Sequence, residues 1–199
     1  MKAVVLVTAV SLLVGTARTA GAGGRSDPGR LPQTTTLPSA TAPWFKARMA
    51  ALWRGIVHDT PWTARSAFFP RLAYLQVKAI PAAGSDFTQR LLHNFALDIR
   101  AAHSLLGRNV AGARLVDVRV PHEWAWIQPG YCSNRIGYWH APGARVVYRE
   151  GGRLRSFGIY SLISWRGQWY VVHLGPWDRP GTVDTPAEGR GSFDPPGGC

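Results

Sequence analysis

The chain has 199 residues, 46% hydrophobic and 17% charged, and a formal net charge of +12 in which 20 of the 23 cationic residues are Arg. That length holds one ordinary domain with appendages, and the apolar fraction excludes wholesale disorder. With 9 Trp and only 2 Cys, a collagenous chain, a coiled coil and a disulfide-dense mini-scaffold are excluded as well.

Met1-Lys2 forms a short positive start, Ala3 to Val14 is an apolar run broken only by Thr8 and Ser11, and Ala20-Gly21-Ala22 fits a small-x-small cleavage site. Residues 1–22 therefore read as a secretory signal peptide. The run is shorter than the roughly 20 residues of a relaxed membrane span; the alternative is an uncleaved N-terminal anchor. No later stretch approaches a span, so a secreted or extracytoplasmic chain without a transmembrane segment is expected once the signal is removed. Loss of Lys2 and Arg18 leaves 21 cationic against 11 acidic residues, a charge of +10.

Residues 23–42, rich in Gly, Pro, Ser and Thr, are expected to form a flexible linker. Thr41 is the expected cap of a helix with Pro43 in its first turn, along which Phe45, Met49, Leu52, Trp53 and Ile56 recur at helical spacing. Asp59-Thr60-Pro61 stops it and opens a short second helix through Phe69. Residues 72–80 suit strand and helix equally. The longest helix starts at Ser85 or Asp86 and carries Leu91, Leu92, Phe95, Ile99, Ala102 and Leu106 on one stripe, with Gly107 as its stop. Asp98 and His103 fall at opposite borders of that stripe.

After Gly107 the period becomes two. Val116, Val118 and Val120 alternate with Asp117 and Arg119, and 145–150, 153–165 and 168–174 are further strand-like runs. Gly151-Gly152 and Arg166-Gly167 suit two-residue hairpin turns. Register then places Val146, Tyr148, Phe157, Ile159, Ile163, Trp165, Tyr170, Val172 and Leu174 on a dry face. The other face is mixed and sets Tyr160 opposite His173. The last 24 residues contain ten Gly or Pro, so 176–199 is expected to be an extended tail. The fold class is α+β: N-terminal helices followed by a curved antiparallel meander of about four strands on a long helix, a single domain over 43–175.

This order of elements resembles the nuclear-transport-factor-2-like and cystatin-like folds, in which a curved sheet encloses a helix. In wording, "FFPRLAYLQVKAI" (68–80), "PGYCSNRIGYWHAPGARVVY" (129–148) and "SLISWRGQWYVVHLG" (161–175) are similar to exported proteins of unassigned function from high-GC Gram-positive bacteria. The resemblance brings no catalytic residues with it.

Cys132 and Cys199 lack CxxC spacing and a flanking His cluster, so zinc is disfavoured. Outside the cytosol their simplest state is a disulfide, tethering the tail and contributing about 4 kcal/mol by loop entropy. The alternative is a free Cys132 acting as nucleophile. His122, Glu123, His140 and His173 have no metal-ligand spacing, and no GxSxG marks a serine hydrolase; neither metal nor cofactor is expected. The Arg residues are dispersed along the chain, which speaks against nucleic acid.

The densest polar-aromatic stretch is 122–140. Trp124, Trp126, Arg135, Tyr138, Trp139 and His140 there are the expected binding residues of a loop. The leading expectation is a non-enzymatic exported domain that binds a cell-wall polymer, an anionic envelope surface or another exported protein. The alternative is a small pocket enzyme, a hydrolase or isomerase, using His173 or His140 as general acid or base with Tyr160.

Overall fold

The computed structural model describes residues 27–174. The signal segment 1–22, the tail 176–199 with Trp177, and Cys199 lie outside the described residues. Helix α1 (Pro43–Val57) has Pro at its first position, where a missing N–H costs nothing. Its capping residue is Ala42, without a side-chain bond; Thr41 meets Ser39 Oγ instead. Phe45, Met49, Leu52, Trp53 and Ile56 are all buried, as their spacing requires. A short 3-10 turn (Thr63–Ala67) follows. Residues 72–80 divide: α2 (Arg71–Val77) takes the first part as helix, and Lys78 after it forms an isolated antiparallel bridge with Asn134.

The long helix is not uniformly α. It runs as α3 (Ala83–Asp86), a π-helical segment (Phe87–Leu92) and α4 (His93–Leu106), and Gly107 ends it with φ +56°. The stripe Leu91, Phe95, Ile99, Ala102 and Leu106 is buried, while Leu92 is half-exposed. Phe68 stacks on Phe95 at 4.5 Å, and His103 Nδ1 lies 2.8 Å from the Ile56 carbonyl, tying α4 to α1. Asp98 is not at a border but buried; its Oδ2 accepts from the Leu174 N–H at 3.3 Å.

The sheet has five strands, not four: β1 (Arg114–Arg119), β2 (Ala125–Ile127), β3 (Tyr138–Glu150), β4 (Arg153–Trp165) and β5 (Gln168–His173). All pairs are antiparallel in the order β1-β3-β4-β5, with β2 on the first part of β3. The fold is thus α+β with a curved antiparallel sheet. Both hairpin turns form where expected, with positive φ at Gly151, Gly152, Arg166 and Gly167, the backbone that primed turns demand. Register follows from them: Val146 faces Phe157, and Ile163 faces Tyr170. Trp53 of α1 packs on Tyr148 at 5.4 Å, and Arg48 lies 4.0 Å over Tyr170 and donates to its hydroxyl at 2.7 Å.

Two bulges break the expected alternation. One falls between Leu115 and Asp117, so Val116 has no partner on β3 and is 52% exposed instead of sharing a face with Val118. The other falls at Val172 and pairs His173 with Ser161 rather than Tyr160. An added residue on one strand changes every partner beyond it.

The lead-in expected to be flexible is packed from Asp27 onward. Gln33 Nε2 donates to the Ser164 carbonyl at 3.0 Å, Trp139 Nε1 to the Thr35 carbonyl at 2.8 Å, and Trp165 Nε1 to the Pro28 carbonyl at 2.9 Å. Its Gly and Pro content prevents helix and strand, but not docking. The strap helps to cover the mixed sheet face, and Trp169, Leu162 and Val171 on that face are fully buried.

Candidate functional site

The expected binding loop is a β-hairpin in its second half. Tyr138, Trp139 and His140 belong to β3 and pair with Ile127, Trp126 and Ala125. Tyr138, expected on a loop surface, is buried with its hydroxyl on Asn134 Nδ2 at 3.0 Å. Trp139 is anchored at both ends: its N–H donates to Ser164 Oγ at 2.9 Å and its indole to Thr35. Trp126 meets it edge-on at 5.4 Å and covers Gly137, where a Cβ would lie 2.6 Å from the indole. Trp124 is half-buried against His122. Arg135 is exposed, but its guanidinium donates to the Lys78 carbonyl and its N–H to that of Val77. Of these six residues, then, Tyr138 is buried, Trp124, Trp126, Trp139 and His140 are half-buried, and Arg135 is exposed. Among the described residues, the most exposed of the large aromatic side chains are Trp62, at 80%, and Tyr131, at 66%, and no periodic pattern marks either.

What the fold does assemble lies beneath the hairpin. His140 Nε2 is 3.0 Å from Ser161 Oγ, and Ser161 is the cross-strand partner of His173. The bulge at Val172 is therefore what brings the second histidine to the serine already held by the first. Tyr160 stays beside His173, ring centroids 6.4 Å apart. Burial lowers the His140 pKa. His173 is lowered further, to about 4, by burial first and then by the positive charges of Arg90 and Lys78. Both rings are neutral at pH 7, so each nitrogen pair offers one donor and one acceptor.

The two cations are held in place. Lys78 Nζ donates to the Cys132 carbonyl at 2.8 Å, and Arg90 forms a bidentate pair with Asp86 at 2.6 Å. Tyr74 donates to the same carboxylate, which its bond with Arg90 holds below the usual range. Burial and the neighbouring Arg90 lower the Lys78 pKa. Lys78, Arg90 and Asp86 together leave one positive charge at this edge. Asn134, bridged to Lys78 and bonded to Tyr138, is 2% exposed, and its Oδ1 accepts no hydrogen bond. Such an orphaned buried acceptor costs about 1–3 kcal/mol.

Sequence reasoning singled out His140 and His173 but missed Ser161, Asn134, Lys78 and Arg90 as their companions. Ser161 and Lys78 each interrupt an apolar run, which is the signal that was there to find. Among the described residues, no group of three or more His, Cys, Asp or Glu could hold a metal, and no helix is long and apolar enough to cross a membrane. Compared with protein-family models, curated proteins and solved structures, the chain matches none of them.

Proposed function

We propose that this chain is an exported, non-enzymatic domain that captures a small anion-bearing component of the cell envelope where the β2–β3 hairpin meets β4 and β5. The observation that carries the reading is the juxtaposition of His140, Ser161 and His173, with the positive charges of two half-buried cations, Lys78 and Arg90, acting on His173. Neutral imidazoles and a hydroxyl supply directional hydrogen bonds, and the cations supply the attraction for a carboxylate or phosphate. Helices followed by a curved meander also suit kinship with the nuclear-transport-factor-2-like architecture.

Titration with inorganic phosphate and with acetate, followed through the imidazole resonances of His140 and His173, is expected to give saturable shifts that Lys78→Met abolishes. Shifts that stay linear, or that survive in Lys78→Met, remove the ligand from this site. A second reading, general acid–base or nucleophilic catalysis, is favoured by the 3.0 Å approach of a neutral His140 to Ser161 Oγ. Ester hydrolysis lost in Ser161→Ala would replace the binding reading with that one.

Cys132 sits in left-handed backbone, φ +54°, and no cysteine among the described residues is free. Pairing with Cys199 is part of the proposal, since it suits an exported chain. Thiol titration of the unreduced, denatured chain is then expected to find no free thiol. One reactive thiol at Cys132 would restore the nucleophile instead.

A further inference from the structure

Chain order hides a basic surface that register creates. Along the β1–β3 ladder, Arg114 pairs directly with Arg149, and Arg119 directly with Arg145. Residues 145, 147 and 149 alternate to one face of β3, so all four guanidinium stems rise from the same side of the sheet. The pairs lie about 13 Å apart along β3 by strand rise. Arg114, Arg119 and Arg149 are exposed and form no ion pair among the described residues. Arg145 is half-buried and donates to Ser156 Oγ at 2.8 Å. Among the described strand residues, the carboxylate on this face is Asp117, which accepts from the Val118 N–H at 2.8 Å.

Like charges set directly opposite each other destabilise a sheet, and this ladder does it twice. The arrangement is costly for the isolated fold and favourable against a surface of opposite charge. Leu154, the β4 partner of Arg149, is 38% exposed on the same face, and Val116, at the bulge of β1 across β3 from it, is 52% exposed. A soluble polyanion would use the arginines and leave these side chains in water. A lipid surface takes both, phosphates to the guanidinium groups and apolar side chains toward the acyl boundary.

We infer that the arginine face of β1, β3 and β4 docks on an anionic phospholipid surface. This docking does not rest on the His140–His173 site, which belongs to other residues, so either proposal can fail alone. The test is co-sedimentation of the purified full chain with vesicles of phosphatidylcholine containing phosphatidylglycerol, against phosphatidylcholine alone. Binding is expected only with the anionic lipid, and it should weaken as salt is raised. At about fivefold per basic residue, Arg119→Gln with Arg149→Gln is expected to lower partitioning by about 25-fold. The same double variant removes both opposed pairs, so its unfolding midpoint should hold or rise. Leu154→Gln should weaken binding less than the double variant does. Equal binding to uncharged vesicles, unchanged binding of the double variant, or capture of DNA or polyphosphate without vesicle binding would each overturn the assignment.

Discussion

Replacing Trp165 by alanine is expected to lower the unfolding free energy by about 4 kcal/mol, the scale of a large aromatic side chain removed from a packed core. Trp165 is fully buried at the end of β4, meets Phe69 edge-on at 6.1 Å and donates its indole N–H to the Pro28 carbonyl. One side chain thus joins the sheet, the segment before α2 and the N-terminal strap. Trp165→Phe keeps most of the volume but leaves that carbonyl without its donor, and should cost about 1–2 kcal/mol. Urea unfolding of both variants separates the contributions. A loss below about 1 kcal/mol in Trp165→Ala would mean that the site collapses without a cavity, or that the strap is not part of the cooperative unit.

The second large effect is a pH dependence. The His173 pKa stands at about 4 in the fold against 6.5 for the free side chain, through burial and then the charges of Arg90 and Lys78. The unfolded chain therefore binds the proton first as pH falls. Stability contributed by neutral His173 is fully present above pH 6.5, declines as pH falls below that value, and levels off near pH 4. At 1.36 kcal/mol per unit the full loss is about 3 kcal/mol, which partial solvent access trims toward about 2 kcal/mol. His140, lowered by burial, adds in the same direction. His173→Gln should flatten most of that slope in urea midpoints measured across this range. A slope identical in wild type and variant would place the acid sensitivity elsewhere.

The titration also bears on ligand capture. Protonated His173 would stand beside Arg90 and Lys78 in the same low-dielectric setting, and like charges there repel. An anion bound among them relieves that repulsion, so phosphate or acetate at the site is expected to raise the His173 pKa. The binding reading and the pH dependence are in this way two views of one electrostatic arrangement.

Much of the fold was legible because its signals are local. The stripe from Phe45 to Ile56 reads as a buried helix face since helical spacing puts those residues side by side. Gly151-Gly152 and Arg166-Gly167 read as turns because few residue pairs tolerate two left-handed positions in a row. From those turns the pairing of Val146 with Phe157 and of Ile163 with Tyr170 follows by counting. Other features had no local signal. The π segment 87–92 carries the same apolar spacing as an α-helix. The strap 27–41 looks like any linker, because its anchors, Ser164, Trp139, Trp165 and Arg166, lie more than a hundred residues away.

The candidate site divides along the same line. His140 and His173 stood out by residue type, and the expected partner of His173 was Tyr160. A single extra residue at Val172 made it Ser161, and so joined the two histidines. Trp124, Trp126, Tyr138 and Trp139 stood out equally; Tyr138 is buried, while the three indoles are half-buried, Trp126 and Trp139 packed edge-on and Trp139 hydrogen-bonded to Thr35. Composition cannot distinguish an aromatic that covers a core from one that awaits a ligand, because both are amphipathic rings beside polar neighbours.

The opening numbers change their meaning in this light. Charge and arginine content were plain from composition, as were the helix-then-meander order and the turns that set register, since these depend on residues near one another in the chain. The dispersed arginines became a surface only when β1 paired with β3, and the isolated histidines became a site only when a bulge shifted β5. Both depend on which strand lies beside which, and on where one residue is added to the ladder. That is decided by burying the dry face against the helices as a whole, and no short stretch of sequence carries it.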